Sequence, residues 1–286
     1  MDRITRSGHR SRDQHRDTET ELSMPSVVNR IREVTQPRGG YINPKSLEVT
    51  KLPAPVALNA SENVHASLVG LSVDYLTRYA LGTPKEKAFA ISLKGAVKLD
   101  WPFDHDASDE AWELLNAVNL ETREGIAAAV RLAGFDVVYR AGPTHFRPVE
   151  EIDPDEATTG NIKTMVDRSL TFFQQYGPIT ADGFTFRSAD GGPGGYTDIV
   201  DAGDGDFLTA DTLWDFKVST NPPKSPNTLQ LLMYYLMGQR SGQDVFKSIT
   251  HLGIYNPRLN EVYRIALAVI PPNVVEEVSR DVIGYK

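Results

Sequence analysis

The chain has 286 residues, 40% of them hydrophobic, which is enough to bury one sizeable core with room for an insertion. Acidic residues outnumber basic ones, 38 to 30, for a formal net charge of −8, so bulk positive charge does not draw this protein to nucleic acid; such binding needs a local basic surface or bridging metal ions. Cysteine is absent, which removes disulfides, zinc–thiolate sites, iron–sulfur clusters and thiol nucleophiles together.

No apolar run approaches the ~18 residues of a membrane helix, and the first residues, MDRITRSGHRSRDQHRDTETEL, lack the apolar core of a secretory signal. A cytoplasmic protein without a membrane anchor is the expectation. Residues 1–24 are polar and mixed in charge and read as a disordered arm. Residues 37–55 are rich in Gly and Pro and read as an extended, turning segment. Ser61 reads as the cap of a helix carrying Val64, Leu68, Leu71 and Leu76, ended by Gly82 and Pro84. Asp109 to about Gly134 reads as one long helix or two short ones. FDVVYRA (135–141) has the look of a strand, and Thr158 to Tyr176 that of another helix. Residues 25–157 thus form a mainly helical N-terminal region.

From Gly183 the pattern changes. FTFRS, GYTDIVDA and TLWDFKVS are short runs with β-branched and aromatic residues, separated by GGPGG and GDGD, which read as turns. A helix follows from Asn227 to about Gly238, then strands in HLGIYNP and EVYRIALAVI, then a C-terminal helix from Pro272 to Ile283. The expected fold is α/β, a central mixed sheet flanked by helices, with residues 158–286 as its core.

The chemistry concentrates in the strand Leu213–Val218. Side chains alternate with period two, so Trp214, Phe216 and Val218 share one face, while Leu213, Asp215 and Lys217 share the other. A carboxylate and an ammonium in mid-strand are costly to bury unless paired or bound to something, and a local rule broken in this way marks a candidate site. Asp198, in the preceding GGYTDIV run, can approach Asp215 if DAGDGDFLTAD is the turn of the hairpin between them; Asp201 is the alternative partner. Two facing carboxylates repel unless a cation lies between them. Mg²⁺ takes one or two carboxylates and keeps several waters, one of which can attack a phosphate. Lys217 can orient that water or offset developing negative charge. On the following helix Gln230 and Tyr234 lie four apart on one face, placed to hold Lys217 or to touch a phosphate. Asp201, Asp204, Asp206 and Asp211 lack calcium-loop spacing and read as a solvated loop. Lys224, Arg240, Lys247 and Arg258 are available as a basic rim.

Taken together, G-x-x-D at Gly195–Asp198, D-x-K at Asp215–Lys217 and Q-x-x-x-Y at Gln230–Tyr234 resemble the PD-(D/E)XK nuclease superfamily, in its RecB-like branch. Thr197 stands where the motif's proline would be. The resemblance covers roughly residues 158–260. It implies a restriction-endonuclease-like core of helix, three strands, helix and strand, and Mg²⁺- or Mn²⁺-dependent hydrolysis of phosphodiesters, with DNA the expected substrate. It also implies metal ligation by Asp198, Asp215 and the backbone carbonyl of Phe216, with Lys217 assisting the attacking water. The family often adds a Glu from its first helix; residues 158–176 contain none, which leaves Glu62 as the candidate ligand and Glu121 and Glu124 as rivals. A protein partner in a defence or recombination system suits the superfamily. The competing expectation is a non-catalytic nucleic-acid-binding or scaffold subunit on the same fold.

Overall fold

The computed structural model describes residues 26–103, 106–187 and 194–286. The arm expected over residues 1–24, and most of the GGPGG turn, lie outside these segments. Ten α-helices are described: α1 (Val27–Glu33), α2 (Ala66–Ala80), α3 (Lys85–Ala88), α4 (Ala90–Phe103), α5 (Ala107–Ala117), α6 (Arg123–Leu132), α7 (Asp136–Ala141), α8 (Glu156–Tyr176), α9 (Ser225–Arg240) and α10 (Pro272–Glu277). A π-helical segment, Val278–Ile283, continues α10. Among the described residues no helix is long and apolar enough to cross a membrane.

Six strands form one mixed sheet: β1 (Glu48–Lys51), β2 (Ile179–Arg187), β3 (Ala202–Thr209), β4 (Thr212–Phe216), β5 (His251–Asn256) and β6 (Glu261–Ala266). Their order across the sheet is β1-β6-β5-β4-β3-β2. β4 and β5 run parallel, as a crossover through a helix requires, and every other neighbouring pair is antiparallel. From α8 onward the chain therefore reads helix, three strands, helix, strand. β1, from the N-terminal Gly/Pro-rich stretch, pairs with β6 at the sheet's far edge.

α8 and α9 lie on opposite faces of the sheet, with α1 and the C-terminal helical segment beside α9, and the alternation in β3 and β4 decides which side chains meet which. Leu208 and Leu213 join Leu252 and Ile254 under Leu229, Leu232 and Met233 of α9. Phe207 and Trp214 face the other way, into Phe172 and Phe173 of α8, with Phe172 stacked on Tyr255 at 4.1 Å. Indole Nε1 of Trp214 donates to Thr209 Oγ1 at 2.9 Å, so the largest buried ring is also satisfied as a donor. A separate core gathers α2 and α4–α8 around Leu76, Phe89, Leu115, Ile126, Phe135 and Met165.

Several local expectations are corrected. Residues 135–141 are helical, not a strand: Phe135 ends a 3-10 turn, Asp136 opens helix α7, and the apolar residues serve a helical core rather than a sheet. The helix expected from Ser61 starts at Ala66, with His65 as its N-cap accepting from Ser67 N. The 109–134 region takes the second of its two expected forms, two helices, α5 and α6, divided by Val118–Thr122. The largest correction concerns GYTDIVDA and DAGDGDFLTAD. The first is not a strand: Thr197 and Val200 close a tight turn with an isolated bridge. The second is not a turn but strand β3 itself, and Ala210–Asp211 make the actual hairpin connection to β4.

Candidate active site

Because β3 begins at Ala202, its register with β4 sets a different acidic pair from the expected one. Phe207 pairs with Trp214 and Leu208 with Leu213, so the next step along the ladder places Asp206 opposite Asp215. There the strands part. The main-chain N–H of Phe216 donates not to a β3 carbonyl but to Asp206 Oδ2, at 2.7 Å. The N–H and C=O of one strand residue point the same way, so the Phe216 carbonyl faces this same seam.

Asp215 is 3% exposed. Its Oδ1 receives Lys217 Nζ at 3.0 Å, while Oδ2 is buried with no hydrogen-bond partner. Burial pushes the Asp215 carboxyl up to about 6; Lys217 opposes that shift and Asp206 adds to it. Burial pulls the Lys217 ammonium down, but Asp215 and Asp206 outweigh it and hold the group above its ordinary value. A buried carboxylate oxygen with nothing to accept from is a costly feature in a folded protein.

α2 brings in the rest. Asp74 and Arg78 lie one turn apart and pair at 2.9 Å. Arg78 also bonds Asp182 of β2, stands 3.7 Å from Asp206 Oδ1, and lies over the Phe207 ring at 4.3 Å. Asp182 accepts in addition from Thr83 Oγ1 at 2.7 Å. Burial pushes Asp74 up to about 6, against the pull of Arg78. Asp74, Asp182 and Asp206 thus surround Arg78, and Asp215, paired with Lys217, lies within the electrostatic reach of Asp206, so carboxylates outnumber cations here four to two. A pocket of about 420 Å³ opens onto its Arg78 and Asp182 side.

Gln230 and Tyr234 share the face of α9 turned to the sheet. Gln230 Nε2 donates to the Tyr234 hydroxyl at 2.9 Å. Burial raises the Tyr234 hydroxyl's pKa, with Asp215, Asp204 and Asp206 acting in the same direction. Its ring packs against Phe184 and lies against Gly203. The pair therefore sits beside the carboxylates as a neutral, polar wall.

Other expected site residues lie elsewhere. Asp198 is exposed in the Thr197–Val200 turn, which Thr197 pins to the C-terminal segment through Ile283 O; the structure does not bring it to Asp215. Asp201, the alternative, precedes β3 and has a buried Oδ1 without a partner. Glu62 lies ahead of α2, where Arg258 (2.8 Å) and Asn161 (3.0 Å) occupy its two oxygens. The carboxylate from this helix is Asp74. Glu121 and Glu124 are exposed on the helical lobe. Of the expected basic rim, Arg258 is held by Glu62, Lys247 by Asp244 at 2.6 Å, and Arg240 lies 4.4 Å over the Tyr285 ring; Lys224 is exposed.

The signal for Asp206 is present in the sequence as a second G-x-x-D, Gly203–Asp206. Glycine and aspartate in alternation read as a turn, but here the glycines serve close packing. A Cβ on Gly205 would meet the Phe184 ring at 1.9 Å, and one on Gly203 would meet Val27 at 2.9 Å. No protein-family model matches the chain, and no curated protein or solved structure is significantly similar to it.

Proposed function

We propose that this protein is a metal-dependent nuclease of the PD-(D/E)XK type, hydrolysing phosphodiester bonds, with DNA as substrate. One observation carries the reading: Asp206 and Asp215 come next after the last paired residues of β3 and β4, close enough for the charge of Asp206 to raise the Asp215 carboxyl, with Lys217 on one oxygen of Asp215 and nothing on the other. The helix–three strands–helix–strand order, and the Gln230–Tyr234 pair on the intervening helix, support it.

The donor set suits one class of ion. Among the described residues no three His, Cys, Asp or Glu side chains gather as an ion-binding group. The donors on offer are all oxygens, and Mg²⁺ and Mn²⁺ accept one or two carboxylates, a carbonyl and water. Asp206, the unpartnered oxygen of Asp215 and the Phe216 carbonyl would hold the ion, and Asp74, which shares Arg78 with Asp206, would add to the negative field around it. Bound there, the ion supplies Lewis-acid stabilisation of the phosphate and a more acidic water. Lys217, held in place by Asp215, offsets negative charge at the attacked phosphate and orients the nucleophile. Tyr234 and Gln230 limit water on the α9 side and offer neutral donors to the phosphate oxygens.

The experiment is cleavage of plasmid and single-stranded DNA with Mg²⁺ or Mn²⁺, comparing the parent with Lys217→Ala. The Lys217 side chain is 36% exposed and follows the last residue of β4, so the variant should fold. Its cleavage should fall by about a hundredfold or more. Equal rates would remove Lys217 from the reaction, and no cleavage by the parent on any nucleic acid would remove the reaction.

A further inference from the structure

Trp112 on α5 is 46% exposed and Val97 on α4 is 61% exposed, an unusual position for an indole in a folded chain. With Leu93, Lys94 and Lys98 of α4 and Tyr139 of α7 they line a pocket of about 330 Å³. Lys94 Nζ stands 5.9 Å over the Tyr139 ring, and both lysines are exposed. Among the described residues no Asp or Glu lines the pocket; the Asp100 carboxylate on α4 is taken by the Ala107 and Ser108 amides, at 2.8 and 3.2 Å. Two ring faces and two ammonium groups, without an opposing acid, complement a flat ring joined to a negative charge. That is the chemistry of base stacking with phosphate contact on a single strand.

The pocket is tied to the candidate active site through one buried carboxylate. Asp136, at the start of α7, accepts from Tyr75 of α2 and Ser92 of α4, each at 2.5 Å. Tyr75 is the neighbour of Asp74, Ser92 lies two residues before Lys94, and Tyr139 is on the helix that Asp136 opens. α2, α4 and α7 are thereby fixed together, and the aromatic pocket holds a set position relative to Asp74 and Arg78.

We propose that this pocket stacks one base of single-stranded DNA, a site that rests on nucleic acid being the substrate but not on the catalytic residues. The full chain is titrated in EDTA with an eight-residue oligothymidylate, following intrinsic tryptophan fluorescence and the anisotropy of a labelled copy. The titration is run in a Trp101→Phe background, and Trp214 is 2% exposed, so the ligand-induced change reports on Trp112. The parent's emission should be quenched; Trp112→Leu should lose most of the quenching and bind about tenfold more weakly, within the range for one lost stacking contact. Lys94→Glu with Lys98→Glu should weaken binding further and flatten its salt dependence. Unchanged affinity in both variants, or equal affinity for a blunt duplex, overturns the site, as does a Trp112-dependent protein partner in the absence of oligonucleotide quenching. Metal-dependent cleavage without Trp112-dependent binding removes this site alone. Trp112-dependent binding without cleavage keeps the site and removes the catalytic reading.

Discussion

Asp206→Asn is expected to lower metal-dependent cleavage by about a thousandfold, while Asp198→Asn leaves it at the parent's level. The contrast follows from register. Asp206 is opposite Asp215 at the parted end of the β3–β4 ladder, whereas Asp198 is exposed in a separate turn anchored to the C-terminal segment. Asparagine keeps an oxygen to accept from Phe216 N, the one structural bond that Asp206 Oδ2 makes, so the strand ends stay as they are. It removes the negative charge that Asp206 and Asp215 jointly present. Circular dichroism should therefore match the parent while cleavage is lost. Full activity in Asp206→Asn, or inactivity in Asp198→Asn, would show that the acidic pair is not the one the register makes.

Asp215→Asn is expected to abolish cleavage and, above pH 6 in EDTA, to raise the melting temperature by roughly 2–4 °C. The sign comes from burial. Asp215 and Asp74 are both pushed up to about 6 in the folded chain, whereas in the unfolded chain each titrates near the ordinary carboxylate value. The folded state favours their protonated forms. Stability from this source is full below about pH 4 and is lost as pH rises through about 6. Metal reverses the trend, because carboxylates ligate when ionised. Added Mg²⁺ should thus leave the melting temperature of the parent unchanged at pH 5 and raise it above pH 7, with no effect on Asp215→Asn at either pH. A parent that gains equally from Mg²⁺ at pH 5 and pH 7 would contradict a site with this buried carboxylate at its centre.

Much of the fold was legible because its signals are local. The aromatic and aliphatic alternation in Leu213–Val218 placed Asp215 and Lys217 on one face and Trp214 and Phe216 on the other, and the α8 and α9 cores divide along those lines. Gln230 and Tyr234 at helical spacing meet in a hydrogen bond. What stayed hidden depends on contacts distant in sequence. Gly203 and Gly205 resemble turn residues until Phe184, Val27 and Tyr234 are seen pressing on them. Asp74 lies in an ordinary amphipathic helix, and only the packing of that helix near β2 and β3 gathers it with Asp182 and Asp206 around Arg78. Residues 135–141 carry β-branched residues suited to a strand, yet the tertiary demand of a helical core, and the buried Asp136 hub, prevail over propensity.

Calorimetric titration of the apoprotein with Mn²⁺ at pH 7.5 bears most directly on the carboxylate pair. The parent should bind one or two ions, and binding should be lost in Asp206→Asn and in Asp215→Asn but kept in Asp198→Asn. No binding by the parent, or the same binding in all four proteins, would contradict a divalent cation held between β3 and β4.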